Sequence, residues 1–204
     1  MKLHKTLLGL VATLGLGMGA AHANSFALGG LPTGQIENPG TFSTDFYSSA
    51  ADASATISFD LAGYASLDGL NAYQDLFTLS INNVVLGSGS FNLGGGGSDF
   101  FTWTPGHSGT YVNSPYVAWG GGTVSFSGVV FGLNAGVNTV AFQYIPVQAG
   151  PQGTGDESWG INQATVSSNV ATISAVPEPE TYAMMLAGLA LMGTIARRRK
   201  SKAA

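Results

Sequence analysis

Cysteine is absent from the 204 residues of this chain. That excludes a disulfide framework, a cysteine nucleophile, a zinc ribbon and a thiol-ligated cluster. Histidine is scarce: beyond residue 23 only His107 remains, which rules out the usual multi-histidine metal sites. Lysine and arginine are missing altogether from residues 24–175, a stretch that holds Glu37, Asp45, Asp52, Asp60, Asp68, Asp75, Asp99, Asp156 and Glu157. With nine carboxylates and no base its formal charge is −9, against −4 for the whole chain. A surface without cations cannot neutralise phosphates, so nucleic acid is not expected as a partner. It also lacks the guanidinium forks that clasp carboxylates and phosphates. Its own acids have no cationic side chain to pair with. They are solvated, bonded to N–H groups, or bound to a hard cation such as Ca²⁺, which prefers oxygen ligands.

All seven basic residues sit at the two ends. At the first, Lys2, His4 and Lys5 precede an apolar, glycine-punctuated run from Leu7 to Met18, and Ala21-His22-Ala23 closes it. A basic start, a short apolar run and an A-x-A step form a secretory signal peptide over residues 1–23, with Ala21 and Ala23 marking the signal peptidase site. The run is too short for a comfortable membrane span. Its glycines also argue against a buried core helix.

At the other end, Val176-Pro177-Glu178-Pro179-Glu180 leads into the uncharged residues 181–196 and then Arg197-Arg198-Arg199-Lys200, with Lys202 beyond. The prolines impose an extended approach. As a helix, the uncharged run would be about 24 Å long, short against a hydrocarbon core of roughly 30 Å, so mismatch or snorkelling is expected. The basic tail, residues 197–202, would hold the terminus in the cytoplasm by the positive-inside rule. A single C-terminal transmembrane helix follows as the expectation.

The order of these parts resembles the PEP-CTERM sorting segment: Pro177-Glu178-Pro179, then Thr181-Tyr182, a centre at Ala187-Gly188-Leu189 and the arginine run. In that family the segment is recognised by exosortase, a membrane-embedded cysteine protease of Gram-negative bacteria that make exopolysaccharide. The resemblance implies that Pro177, Glu178 and Pro179 are the recognition motif. It also implies a precursor held in the inner membrane, then delivery to the cell surface or extracellular matrix. Leu31-Pro32-Thr33-Gly34 is not a sortase signal, having the wrong spacing and the wrong end of the chain.

Between the two addresses, short β-branched and aromatic runs alternate with Gly, Ser and Asn clusters. Strands are expected at Ser54–Leu61, Asp75–Asn82, Val84–Leu86, Phe100–Trp103, Thr123–Phe131, Asn138–Tyr144, Trp159–Val166 and Val170–Ser174. Phe77, Leu79 and Ile81 share one face by period-2 alternation. Asn82-Asn83 suits a tight hairpin turn. The glycine tracts 94–97 and 120–122 read as loops, since glycine weakens strands. No persuasive helical period and no regular repeat is present. The expected fold is all-β, an antiparallel β-sandwich of jelly-roll character over residues 54–175. The less patterned residues 24–53 form either one early strand or a loose lead-in, and the sorting segment occupies 176–204.

Gly155-Asp156-Glu157-Ser158-Trp159-Gly160-Ile161-Asn162-Gln163-Ala164-Thr165-Val166, with acids before an aromatic-Gly-aliphatic step, resembles the closing strand of bacterial extracellular jelly-roll modules. The resemblance implies Asp156 or Glu157 as ligand to a structural Ca²⁺, with Asp68 or Asp75 from an earlier loop. Neighbours on a strand point to opposite faces, so both can serve only from a loop. The plain alternative is a solvated turn. Trp103, Trp119 and Trp159 are candidates for stacking on sugar rings, although aromatics of a sandwich usually fill its core.

Catalytic machinery is not evident. Gly106-His107-Ser108-Gly109 fails the G-x-S-x-G spacing because Thr110 stands where the last glycine belongs. Two carboxylates suffice for glycoside hydrolysis, but none falls in a recognisable catalytic spacing. Two readings remain. One is a non-catalytic surface or matrix protein binding exopolysaccharide or calcium. The other is a small secreted glycan-active hydrolase.

Overall fold

The computed structural model describes residues 24–31, 35–114, 116–148, 153–176 and 186–192. Their strands are, in chain order, β1 (Asn24–Ala27), β2 (Ile36–Glu37), β3 (Gly40–Ser48), β4 (Asp52–Gly63), β5 (Leu67–Asp68), β6 (Asp75–Ile81), β7 (Val84–Ser90), β8 (Gly94–Gly96), β9 (Phe100–Trp103), β10 (Thr110–Asn113), β11 (Gly122–Leu133), β12 (Gly136–Pro146), β13 (Ser158–Ser168) and β14 (Ile173–Ala175).

Period-2 patterning decides which side chains go inside. Along β6, Phe77, Leu79 and Ile81 are buried while Leu76, Thr78 and Ser80 are only partly covered. The same alternation buries Val140, Phe142 and Tyr144 on β12 and Ile57, Phe59 and Leu61 on β4. Sheets with one apolar face must pack face to face. One sheet runs β1-β13-β4-β11-β10, with β2 also on β13; the other runs β14-β3-β12-β6-β7-β9. Every pair within them is antiparallel.

Aromatic rings join the two sheets. Phe59 of β4 meets Phe142 of β12 edge-on at 5.0 Å between centroids, and Phe126 of β11 lies 5.8 Å from Phe77 of β6. Consecutive strands change sheet in nested fashion, β3 pairing β12 in one and β4 pairing β11 in the other. The molecule is a two-sheet antiparallel sandwich.

The hairpin at Asn82-Asn83 forms as expected, with φ of 53° and 63°. These are the left-handed values that a two-residue turn between twisted strands requires. Two other expectations are corrected. Residues 24–53 hold more than one early strand or a loose lead-in: they carry β1, β2, β3 and the start of β4, and Phe46 of β3 lies in the core. The glycine tract at 94–97 is not wholly loop, because Gly94–Gly96 pairs in parallel with β5. Side chains would be excluded there. A Cβ on Gly94 would lie 2.2 Å from the Ala65 carbonyl oxygen, and one on Gly95 would lie 2.5 Å from Asp68 Oδ2.

Among the described residues no helix is long and apolar enough to cross a membrane. Residues 186–192 are helical, and their side chains are exposed. The signal segment 1–23, with Ala21 and Ala23, and the motif Pro177, Glu178 and Pro179 lie outside the described residues.

Candidate functional site

The start of β13 defines the site. Ile36 and Glu37 of β2 pair with Trp159 and Ser158, which carries the ladder to the next residue: the Asn38 N–H donates to the Glu157 carbonyl at 3.1 Å. On its other side, the backbone N–H groups of Tyr64 and Ser66 donate to the carbonyls of Ser158 and Asp156. Asp156 and Glu157 therefore lie in the turn leading into the strand, held from both flanks. That loop placement lets neighbouring side chains serve one site, as strand geometry would forbid.

Three carboxylates meet here. Oxygens of Asp68, from the end of β5, Asp75, which opens β6, and Glu157 lie within 4.8 Å of one another. All three residues are buried, with relative exposures of 7, 0 and 1 %. Asn38 stands between two of them, its Nδ2 donating to Asp75 Oδ1 and, at 3.1 Å, to Glu157 Oε2. Asp75 Oδ2 accepts the Asp68 backbone N–H at 2.8 Å, and Asp68 Oδ1 accepts from Asn71 Nδ2 at 2.6 Å. Asp156 stands slightly apart, with Oδ1 accepting from Ser66 Oγ at 2.9 Å.

Electrostatics follow from burial without a cationic partner. Burial raises the Asp75 carboxyl to about 6, against the opposing pull of the Asp68 N–H and the Asn38 amide. Glu157 rises to about 7, first through burial and then through the Asp75 charge. Asp68 is also pushed up, mainly by burial.

Two of the three, Asp68 and Glu157, line a cleft of about 410 Å³ together with Ser66, Tyr73, Gly95, Trp119 and Asp156, while Asp75 lies behind them. At its mouth Trp119 is 74 % exposed and Tyr73 60 % exposed. Trp119 sits at a positive φ of 60°, with its N–H bonded to the Gly94 carbonyl. A bulky residue held in that region is a costly conformation.

Of the residues read from the sequence, Asp68, Asp75 and Glu157 come together, with Asp156 and Trp119 on the cleft. Two tryptophans do not belong there. Trp159 is wholly buried against Tyr144, 5.8 Å between ring centroids, and offers no face to a ligand. The burial at the start of β13 that positions Glu157 also removes this ring from solvent. Trp103 packs edge-on to Phe101 at 4.8 Å and does not line the cleft. Asn38 and Tyr73 escaped sequence reasoning. Asn38 carries no charge, and its one local signal is the turn sequence Asn38-Pro39-Gly40.

His107 lies elsewhere, with Nδ1 3.2 Å from the Val130 carbonyl. It borders a cavity of about 290 Å³ lined by Ile81, Asn82, Val84, Leu86, Phe131, Gly132 and Asn134, with no carboxylate among them.

The comparisons with known proteins address the end of the chain. Residues 175–200 match the family model of the PEP-CTERM protein-sorting motif. No curated protein and no solved structure matches the chain.

Proposed function

We propose that this chain, which carries a PEP-CTERM protein-sorting motif at residues 175–200, is an exported, exosortase-processed surface or matrix protein. Its jelly-roll-type sandwich is a non-catalytic module that takes a polysaccharide at the Trp119 cleft. The motif implies export and exosortase processing, and it begins where the sandwich ends, at the last residue of β14. Signal peptidase would act first, at Ala21-His22-Ala23. The inner membrane would then hold the precursor through residues 181–196.

For the ligand, one observation carries the reading: two exposed aromatic rings, Trp119 and Tyr73, flank a cleft walled by carboxylates and Ser66. Aromatic faces stack on the C–H faces of sugar rings, while oxygen acceptors take their hydroxyls. The absence of cations suits a hydroxyl-rich ligand better than an anionic one.

A hydrolase is the second reading, favoured by the raised pKa values of two neighbouring acids. Glycosidase carboxyls flank the scissile bond. Here a single Asn38 amide bridges Asp75 and Glu157, and both acids are buried. That arrangement favours binding over cleavage.

The test has two arms. In cells lacking exosortase, the protein should accumulate in the inner-membrane fraction; unchanged release would overturn the processing claim. With exopolysaccharide from the exporting cell, Trp119→Ala should weaken binding about tenfold, the equivalent of about 1.4 kcal/mol of lost stacking. Polymer length should stay constant. Shortening that Glu157→Gln abolishes would overturn the module in favour of the hydrolase.

A further inference from the structure

We propose that Asp68, Asp75, Glu157 and the side-chain carbonyl of Asn38 form a binding site for one hard divalent cation, Ca²⁺ in preference to Mg²⁺, at the floor of the Trp119 cleft. The geometry of the trio comes first. Three carboxylates from three separate segments, all buried, bring their oxygens within 4.8 Å of one another. No lysine or arginine exists anywhere in residues 24–175 to compensate them. Carboxylates gathered in this way repel one another unless protonated or bridged by a cation.

The second observation is a buried polar atom beside the acids that none of them satisfies. Asn38 is fully buried and its Nδ2 reaches into the cluster, yet among the described residues its Oδ1 has no hydrogen-bond partner. Buried polar atoms are nearly always satisfied. A half-turn of this amide would exchange Oδ1 for Nδ2 and bring the carbonyl oxygen to the point where Asp75 and Glu157 converge. Without a cation that orientation sets oxygen against oxygen. With one it supplies a fourth ligand, a neutral oxygen of the kind Ca²⁺ sites combine with carboxylates.

Ion identity follows from the donors. Nitrogen and sulfur ligands are absent from the cluster, which disfavours zinc. Mg²⁺ demands near-octahedral geometry and gives up water reluctantly, whereas Ca²⁺ accepts six to eight oxygens in irregular array. The cleft, lined by Asp68 and Glu157, provides the way in. Such an ion would tie together the β2–β3 corner, β5, the start of β6 and the approach to β13.

The test uses the full chain, stripped of metal with chelator, and two probes, Ca²⁺ and Tb³⁺. Terbium should bind one per chain, with emission sensitised by the Tyr144–Trp159 pair, and Ca²⁺ should displace it. At a hundredfold excess over its dissociation constant, Ca²⁺ should raise Tm by roughly 5–10 °C, and Mg²⁺ at equal concentration by much less. Asp75→Asn should abolish the shift while Asp45→Asn, at an exposed acid on β3, keeps it. If Asp75→Asn does not fold, Asn38→Ala serves, with weaker binding expected from a neutral change. A folded wild-type protein that binds neither ion would overturn the site, as would a Ca²⁺ shift retained in Asp75→Asn. Loss of polysaccharide binding in Trp119→Ala has no bearing on these readouts, so the two proposals fail separately.

Discussion

At Asp75 and Glu157, burial and charge oppose each other, and the balance depends on pH. Both carboxyls stand above their ordinary values in the folded chain, at about 6 and about 7. In the unfolded chain they titrate near 4. Between those limits the folded state binds more protons than the unfolded state, so stability must fall as pH rises. The cost is absent below pH 4 and fully present only above about pH 8, once Glu157 has lost its proton. In chelator, Tm should therefore drop steadily from pH 5 to pH 8. Glu157→Gln should flatten the upper part of that curve, since a neutral amide has no proton to lose. A wild-type Tm that climbs over this range in chelator would contradict the burial of these acids.

Among the elements, the hairpin joining β6 to β7 offers the cleanest check on the backbone. Asn83 sits at φ 63°, where a Cβ is costly unless the side chain is asparagine or aspartate. Asn83→Ala should destabilise by about 1 kcal/mol, and Asn83→Gly should be neutral or slightly stabilising. Denaturant midpoints would show the order. Asn82 is the wrong position for this test, because its side chain also bonds Asn138 and Thr139. These two strands were legible because Phe77, Leu79 and Ile81 alternate cleanly and the turn residues announce themselves. β9 likewise runs from Phe100 to Trp103 as read. In β3 the pattern was diluted: Phe42 and Phe46 share a face, but threonines, serines and Asp45 fill the rest. β8 was illegible for a different reason. Its glycines are there because Ala65 and Asp68 crowd the backbone, which only the tertiary structure reveals. The same holds for the site. Uncompensated acids stood out in the sequence, and three of four candidates converge. Asn38 reached them through a ladder contact that no local pattern encodes.

For the whole molecule, the governing fact is a domain of nine carboxylates with no opposing side-chain charge. Self-repulsion of this kind lowers the stability of a compact state, and salt relieves it by screening. The Debye length shrinks from about 30 Å at 0.01 M to about 10 Å at 0.1 M and about 3 Å at 1 M. In chelator at pH 8, Tm should therefore rise with NaCl across that range. At pH 5 the rise should be smaller, because Asp75 and Glu157 then hold protons. Screening and site binding are separable on the same protein. At constant ionic strength, Ca²⁺ should add its own increment in the wild type, while Asp75→Asn keeps the NaCl response and loses the Ca²⁺ response. A Ca²⁺ increment matched by any added salt of equal ionic strength would reduce the cluster to general charge screening. A wild-type Tm that falls with NaCl would mean that self-repulsion is not what limits this sandwich.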